Sequence, residues 1–454
     1  MFIFGFRSRS CVRNLHPLQR RLYSRVFENG TEPRTSGMDP FWPACMLTLS
    51  KAVRDWHDWQ GSAPKNQTVA LALASQRFNE LDSLRGLAAC TVVLGHFASG
   101  VSAAFALSLW HSPLRFLVTG HDAVILFFVL SGFVLFLPYE RSKGLSYFKF
   151  LVKRTCRIYL PYLGALTLAV AMNFHDHGLV ADHEWVNSTW NQAPNLHLVM
   201  QHVLFLGNYR WEAFNTAFWS LVYEMRISLL FPFLAIAVLQ FRIQWMLVFA
   251  VFSSLLSVHY HLIIRLLNLN SPGYQSVDTL HYMSFFILGA MLAKNREFIQ
   301  ERYRRLPLFL ARSLSVLAIL FYYHPFNISG AGAAVLSVQK TQDWSVALGS
   351  MLVITLAICS GPFKKLLNRG AIRYLGRISY SVYLVHATFL FALIYICRGH
   401  LTFSYFPIYL IGVLGLASVF HYVIEKPSMI LGQKLVKISW GSKRFSKWRA
   451  ALAG

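Results

Sequence analysis

Residues 78–97 read FNELDSLRGLAACTVVLGHF, a stretch that combines the hydrophobicity of a membrane span with ionisable side chains. Apolar residues dominate from Leu84 onward, which predicts a transmembrane helix near 84–108. Arg85 stands at the start of this helix and His96 near its middle. Ionisable residues inside a bilayer are energetically costly and usually line a functional cavity, so this helix carries the first candidate site.

The whole chain has the composition of a polytopic membrane protein. Hydrophobic residues make up 55% of its 454 residues and charged residues only 14%. The apolar residues form blocks of membrane-spanning length that follow one another from about residue 84 to 425. We therefore predict an all-α bundle of about ten transmembrane helices, in a single domain over 78–430. The predicted spans lie near 84–108, 121–139, 155–173, 216–239, 244–267, 279–294, 306–324, 345–361, 373–397 and 403–425.

The formal net charge of +24 is explained by topology rather than by a nucleic-acid partner. Lys and Arg cluster in the segments 140–157, 294–312, 362–377 and 426–449, which the positive-inside rule places in the cytoplasm. Ten spans with a cytoplasmic N-terminus satisfy this rule for all four segments. Counting Leu196 to Leu206 as an eleventh span would reverse the later loops. That short segment is therefore predicted to be re-entrant or interfacial, and both termini are predicted to be cytoplasmic.

The two terminal segments are predicted to be basic cytoplasmic tails, over 1–77 and 431–454. The first is expected to be poorly ordered and held on the membrane surface by its charge. Its many arginines before the first acidic residue also fit an organellar transit peptide, and this alternative stays open. The compartment is left open among endoplasmic reticulum, Golgi and plasma membrane.

The longest predicted external loop, 174–215, is rich in His and Trp and is available to meet an external substrate. Its histidines fit no compact ligand set, so no metal site is predicted. Glycosylation sequons begin at Asn187 and Asn327, both in loops that this topology places outside. The sequons therefore agree with the predicted orientation.

Arg85 and His96 are predicted to share one helix face. Eleven residues at about 100° each amount to about 1,100°, roughly 20° past three full turns. The axial separation is about 16 Å, which places Arg85 at the cytoplasmic boundary and His96 about halfway across. Snorkelling of the arginine and packing of the histidine are the structural alternatives.

Other predicted spans also carry polar residues. Glu224, inside its span, needs a partner such as a His or Arg from another helix. For Arg154 and Arg157, anchoring of a basic cytoplasmic loop is the structural alternative. For Ser131 and Gly132, the structural alternative is close helix packing. Glu425, Lys426 and Pro427 are predicted to end the last span. The further candidates are His121 and Asp122 in GHDAVILFFVLSGFVL, Arg154 and Arg157 in KRTCRIYLPY, Trp219, Tyr223 and Glu224 in FWSLVYEMRISLLFP, and His386 in GRISYSVYLVH.

Taken in order and spacing, these motifs resemble the acyltransferase-3 family of integral-membrane O-acyltransferases, over about residues 78–430. The resemblance implies an enzyme that moves an acyl group, most often acetyl from acetyl-CoA, to a hydroxyl of a carbohydrate, lipid or small metabolite. The family's signature Arg and His match Arg85 and His96, and its RxxR motif matches Arg154 and Arg157. One departure is HDAV at 121–124, where many relatives have Gly before the Val.

The expected mechanism assigns a role to each group of candidates. Guanidinium groups suit bidentate binding of the acyl-CoA phosphates, and a neutral imidazole can accept the proton of an acceptor hydroxyl. Glu224 is expected to orient that imidazole or to stabilise its charged form. A covalent acyl-histidine, a transporter that uses the buried charges, and a non-catalytic scaffold remain alternatives. The expected assignments are Arg85, Arg154 and Arg157 for the donor, His96, Glu224 and Arg85 for catalysis, and His121, Asp122, Trp219, Tyr223 and His386 for the acceptor.

Overall fold

The computed structural model describes residues 78–141, 146–180, 184–205, 207, 209–266, 274–323 and 335–441. Within these ranges the chain forms helices and connecting turns and contains no β-strand. The predicted tail 1–77 and the sequon at Asn327 lie outside them. The helices are α1 Asn79–Val101, α2 Ala103–Trp110, α3 Gly120–Arg141, α4 Tyr147–His175, α5 Glu184–Trp190, α6 Leu196–Leu204, α7 Phe218–Gln240, α8 Ile243–Leu266, α9 Tyr274–Lys294, α10 Arg296–Arg304, α11 Leu308–Tyr323, α12 Val335–Cys359, α13 Gly361–Leu367, α14 Gly370–Ile396, α15 Phe406–Phe420 and α16 Lys426–Gly441.

The predicted all-α membrane bundle is confirmed. In the described part of the chain, nine helical segments are long and apolar enough to cross a bilayer, and they follow the predicted order. The remaining predicted span, near 306–324, corresponds to α11, which is apolar but has 16 residues. At about 1.5 Å per residue it is about 24 Å long, slightly less than a typical hydrocarbon core of about 30 Å.

The first predicted span, near 84–108, is divided into two helices. α1 begins at Asn79, and the chain leaves the helical conformation at Ser102, where φ is −168° and ψ is 145°. The Ser102 hydroxyl then accepts a hydrogen bond from the backbone N–H of Phe105 at 2.9 Å, so it caps α2. Serine favours this position because its side chain satisfies an N–H that the first helical turn leaves without a partner.

The central helices approach one another at glycines. A Cβ built on Gly132 of α3 would lie 2.1 Å from the carbonyl oxygen of Phe286 in α9, and one on Gly289 would lie 2.0 Å from the carbonyl of Val129. The packing alternative for Gly132 is therefore confirmed. In a bilayer the hydrophobic effect contributes little to helix association, because lipid tails are as apolar as the helix surfaces. Close packing of the backbones is therefore a main contribution to this association.

The predicted end of the last span at Glu425, Lys426 and Pro427 is wrong. α15 continues through a π-helical turn, His421–Glu425, directly into α16. The backbone N–H of Lys426 bonds the carbonyl of His421, five residues earlier. Proline is tolerated in the first turn of a helix, and a π-turn changes the hydrogen-bond pattern just where Pro427 lacks a donor.

Candidate active site

Two neighbouring cavities lie within the bundle. The smaller, of about 70 Å³, is lined by arginines, and the larger, of about 430 Å³, is lined by histidines and aromatic rings. Val124 of α3 and Tyr383 of α14 line both cavities and so form a wall that the two cavities share. The tyrosine is held in place because its hydroxyl contacts the Ser220 hydroxyl at 2.6 Å and donates to the carbonyl of Ala217 at 3.1 Å.

We call the smaller space the arginine cavity, because Arg85, Arg154 and Arg157 all line it. Arg154 is buried, and its Nη2 lies 2.9 Å from Oε1 of Glu224 and 2.8 Å from the hydroxyl of Ser228. Glu224 thus has the cationic partner from another helix that its place in a span requires.

The other two arginines are less constrained. Arg157 is exposed, and Nη1 lies 3.5 Å from the sulfur of Met429. Arg85 lies 3.5 Å from the carboxylate of Asp82, one turn before it on α1. A guanidinium offers five N–H donors, so both side chains keep donors that can face an anion in the cavity.

We call the larger space the histidine cavity, because His96 and His121 line it. α1 is continuous from Arg85 to His96, so the predicted common face is retained, with one residue in each cavity. The imidazole of His96 lies between two other rings, with its centroid 5.1 Å from that of Trp185 and 4.9 Å from that of His386.

The contacts of His386 select the tautomer of His96. Nδ1 of the fully buried His386 lies 2.8 Å from the carbonyl of Tyr383 and 3.1 Å from that of Val382, so this nitrogen must be the donor. In a neutral ring, Nε2 of His386 is then an acceptor, and it lies 2.9 Å from Nδ1 of His96. His96 therefore donates from Nδ1 and keeps its lone pair on Nε2.

The partner of His96 is thus His386, and not Glu224 as the sequence led us to expect. Glu224 contacts Arg154 and accepts a hydrogen bond from Ser131 at 3.4 Å, both in the arginine cavity. The distinction depends on the tertiary contact between His386 of α14 and His96 of α1, which the spacing of motifs does not reveal.

The five candidates for acceptor contact separate into two groups. His121 and Trp219 line the histidine cavity, and their rings are stacked with centroids 5.8 Å apart and planes within 10°. Asp122, Tyr223 and His386 are buried and line neither cavity. An acceptor in the histidine cavity would therefore meet the first two directly and the other three only through their neighbours.

Sequence reasoning did not single out Asp343, although it contacts two histidines. Its Oδ1 lies 2.8 Å from Nε2 of His121, and its Oδ2 lies 3.0 Å from Nε2 of His281. The available signal was an acidic residue just before the predicted span 345–361, but its partners lie more than sixty residues away in sequence.

The segment between α4 and α7 is anchored by His202 of α6. This fully buried ring places Nδ1 3.0 Å from the hydroxyl of Tyr162 and Nε2 3.2 Å from the carbonyl of Arg210. Burial lowers the pKa of His202 to about 4, so the ring is neutral at physiological pH. The short apolar segment Leu196 to Leu206, most of which forms α6, is therefore packed against α4 by a neutral histidine.

Comparison with known families adds one match. The acyltransferase-3 family model, described as an acyltransferase domain, matches residues 78–422, which covers most of the chain. No curated protein and no solved structure matches the chain. The matched range contains both cavities and every residue that lines them.

Proposed function

Because the chain belongs to the acyltransferase-3 family and is an O-acyltransferase with multiple membrane spans, we propose that it transfers a short acyl group from cytoplasmic acyl-CoA to a hydroxyl. Acetyl-CoA is the proposed donor, and the acceptor is a carbohydrate, lipid or small metabolite. The family match favours this activity over the transporter considered from the sequence.

The observation that carries the proposal is the contact between the two cavities. A transferase must bring a donor and an acceptor to one point while binding each in its own environment. The arginine cavity suits an anionic donor, the histidine cavity suits proton transfer, and Val124 and Tyr383 separate them. We place the thioester carbonyl at this shared wall.

The donor would be bound by its phosphates at the arginine cavity. Arg157 and Arg85 keep donors for phosphate oxygens, while Arg154, paired with Glu224, keeps the wall of the cavity ordered. The volume of about 70 Å³ has room for only a handful of water molecules, which favours a short acyl group over a long chain.

The chemical step begins at Nε2 of His96. This nitrogen accepts the proton of the acceptor hydroxyl as the hydroxyl oxygen attacks the thioester carbonyl. When the tetrahedral intermediate collapses, the carbon–sulfur bond breaks, and the imidazolium of His96 returns its proton to the CoA thiolate. The products are the ester and CoA thiol, and His96 ends in its starting form.

His386 is the positioning residue in this mechanism. Its Nε2 accepts the Nδ1 hydrogen of His96 before, during and after proton transfer, so one ring orientation serves every stage. A carboxylate has this role in the Ser-His-Asp arrangement. A neutral imidazole supplies orientation with less charge compensation, which leaves His96 free to release its proton to the thiolate.

The test uses purified protein in nanodiscs and follows binding and slow hydrolysis of acetyl-CoA. His96→Ala is expected to bind acetyl-CoA and lose turnover by about 10²–10⁴-fold, the range for a general base. Arg157→Ala is expected to weaken binding. His175→Ala and Arg305→Ala, both exposed, are the matched controls and should behave as wild type. Wild-type protein that neither binds nor consumes acetyl-CoA would contradict the proposal.

The same preparation distinguishes direct transfer from a covalent acyl-histidine. The lone pair on Nε2 of His96 could also attack the thioester, which would leave the acyl group on the ring. Rapid denaturation at neutral pH, which avoids the acid hydrolysis of an acyl-imidazole, is expected to leave no label from radiolabelled acetyl-CoA on the protein. Label that appears on wild type but not on His96→Ala would replace direct transfer with the two-step route.

A further inference from the structure

Three helices near the histidine cavity carry a pair of polar layers that the mechanism above does not use. The residues concerned are spaced one helical turn apart on each helix. In the first layer, Ser254 of α8, His281 of α9 and Asp343 of α12 are in contact, and in the second, Ser257, Asp278 and Lys340.

The second layer is a neutral ion pair. Nζ of Lys340 lies 2.6 Å from Oδ1 of Asp278 and 2.7 Å from the hydroxyl of Ser257, which itself donates to Asp278 at 2.9 Å. This layer compensates its own charge and has the contacts expected of a structural pair inside a membrane bundle.

The first layer is different because it extends to the cavity. Asp343 is 3% exposed, and its second oxygen is bound by His121, whose side chain is 24% exposed and lines the histidine cavity. A buried carboxylate is costly unless its oxygens are hydrogen-bonded, so the imidazole is held firmly. The first layer therefore holds His121, which lines the histidine cavity, in place.

The hydrogen bonds of the first layer form one continuous chain that runs from Trp344 to Asp343. Nε1 of Trp344 donates to the hydroxyl of Ser254 at 3.0 Å, and this hydroxyl can in turn donate to Nδ1 of His281 at 2.8 Å. His281 then donates from Nε2 to Asp343, and His121 donates from Nε2 to the other oxygen. Nδ1 of His121, the nitrogen that Asp343 does not contact, is thus left for a further hydrogen-bond partner.

Two imidazoles of one cavity thus each keep one ring nitrogen that can bind a hydroxyl group, Nε2 of His96 and Nδ1 of His121. We propose that His121 binds a second hydroxyl of the acceptor, so that the cavity selects compounds with neighbouring hydroxyl groups, and that Asp343 and His281 are positioning residues that act through it. This inference rests on the proposed acyl transfer and specifies its acceptor.

The stack of His121 on Trp219 is consistent with this role. The two planes are within 10° of parallel, so the imidazole edge with its nitrogens is directed along the cavity wall rather than at the indole face. A site built to bind a hydroxyl discriminates strongly against an analogue that lacks it. With such an analogue, a buried hydrogen-bonding atom of the protein is left without a partner.

The experiment compares 1,2-propanediol with 1-propanol as acceptors for radiolabelled acetyl-CoA, using full-length protein in nanodiscs. The two alcohols differ by one hydroxyl and both fit a cavity of about 430 Å³. Wild type is expected to prefer the diol by roughly ten- to a hundredfold in kcat/KM, the range for one buried hydrogen bond. His121→Ala and Asp343→Asn should reduce the preference to near one.

A conservative variant and a matched control separate recognition from folding. His121→Asn keeps an acceptor atom near the position of Nδ1 and should restore part of the preference. The double variant Asp278→Asn with Lys340→Gln removes buried charge one turn away, without contact to His121, and should keep the full preference.

Three outcomes would overturn the inference. These are a wild-type enzyme that does not distinguish the diol, a preference that survives His121→Ala, and an equal loss in the Asp278 and Lys340 control. Failure of the proposed acyl transfer itself gives another result, since wild type would then not hydrolyse acetyl-CoA at all.

Discussion

At the scale of one residue, we predict that catalysis depends on the contact between His386 and His96. His386→Phe keeps an apolar ring of similar size but removes the acceptor for Nδ1–H of His96, so His96 is no longer held in one tautomer. We expect kcat to fall by about ten- to a hundredfold, part of what a general base contributes, with the KM for acetyl-CoA unchanged.

The comparison variant for this prediction is His386→Gln. Its amide oxygen can still accept a hydrogen bond from His96, so it should retain more of kcat than the Phe variant. Steady-state kinetics and the pH profile of kcat are the measurements. Equal losses in both variants, or a raised KM for acetyl-CoA, would indicate that His386 is needed only for packing.

His202 makes a second residue-scale prediction, about pH. Above about pH 6.5 this histidine is neutral whether the α6 segment is packed or open. Between about 6.5 and 4 the open segment binds a proton that the packed one, with a pKa of about 4, does not. Acidification therefore destabilises the packed segment across this window, by on the order of 3 kcal/mol in total, and has no further effect through His202 below it.

Hydrogen exchange of the peptide covering α6, measured by mass spectrometry, tests this prediction. Exchange should rise as the pH falls from about 6.5 to 4, after correction for the intrinsic rate. His202→Gln keeps hydrogen-bonding groups but cannot be protonated, so its exchange should not respond in this way. The same pH response in the Gln variant would assign the effect to other groups.

Residue-level predictions from sequence succeeded where one helix sufficed. The spacing of Arg85 and His96 placed both on one face because α1 is continuous between them. The need of Glu224 for a cationic partner was also predictable, though not that Arg154 supplies it. The partner of His96 was not predictable, because its contact with His386 depends on the crossing of α1 with α14.

At the scale of elements, we predict that the crossing of α3 and α9 depends on close approach at Gly132. Gly132→Leu would place a side chain against the backbone carbonyl of Phe286, which a rotamer change cannot relieve. We expect α3 and α9 to separate, with a destabilisation at or above the usual overpacking cost of about 1–3 kcal/mol. A melting temperature lowered by several degrees, or loss of monodisperse protein, is the expected result.

Gly415→Leu is the matched control, because no atom lies within 4 Å of a Cβ built at this position in α15. It should be at least as stable as wild type, since leucine has the higher helix propensity. If the two leucine variants have the same melting temperature, the α3–α9 crossing does not depend on close approach.

Element boundaries were predictable only from local signals. The break at Ser102 has a capping serine, yet apolar residues continue through α2, so hydropathy alone joined the two helices. At the other end of the chain, Pro427 was taken as a stop although α15 and α16 are continuous through a π-turn. Composition locates a span, whereas the hydrogen bonds at its ends decide where it stops.

At the scale of the whole molecule, the site depends on segments from most of the matched range. The shared wall joins Val124 of α3 to Tyr383 of α14, residues about 260 positions apart. The sequence indicated which residue types belong to a site, because buried charge in a bilayer is costly. It did not indicate that they divide between two cavities, since that division follows from the packing of helices far apart in the chain.

Orientation in the membrane is the prediction that concerns the whole molecule. The three arginines of the arginine cavity lie toward the side that also carries α10 and α13, whose neighbouring segments are basic. The positive-inside rule places this side in the cytoplasm, where acyl-CoA is found. In a background without reactive cysteines, and in sealed vesicles whose cytoplasmic face is outward, Glu301→Cys should react with a membrane-impermeant maleimide directly, and Thr402→Cys only after permeabilisation. Both positions are exposed, so access depends on the side of the membrane rather than on burial. The reverse pattern would turn Arg85 and Arg157 away from cytoplasmic acyl-CoA, and the assignment of the arginine cavity to the donor would then fail even if the fold were correct.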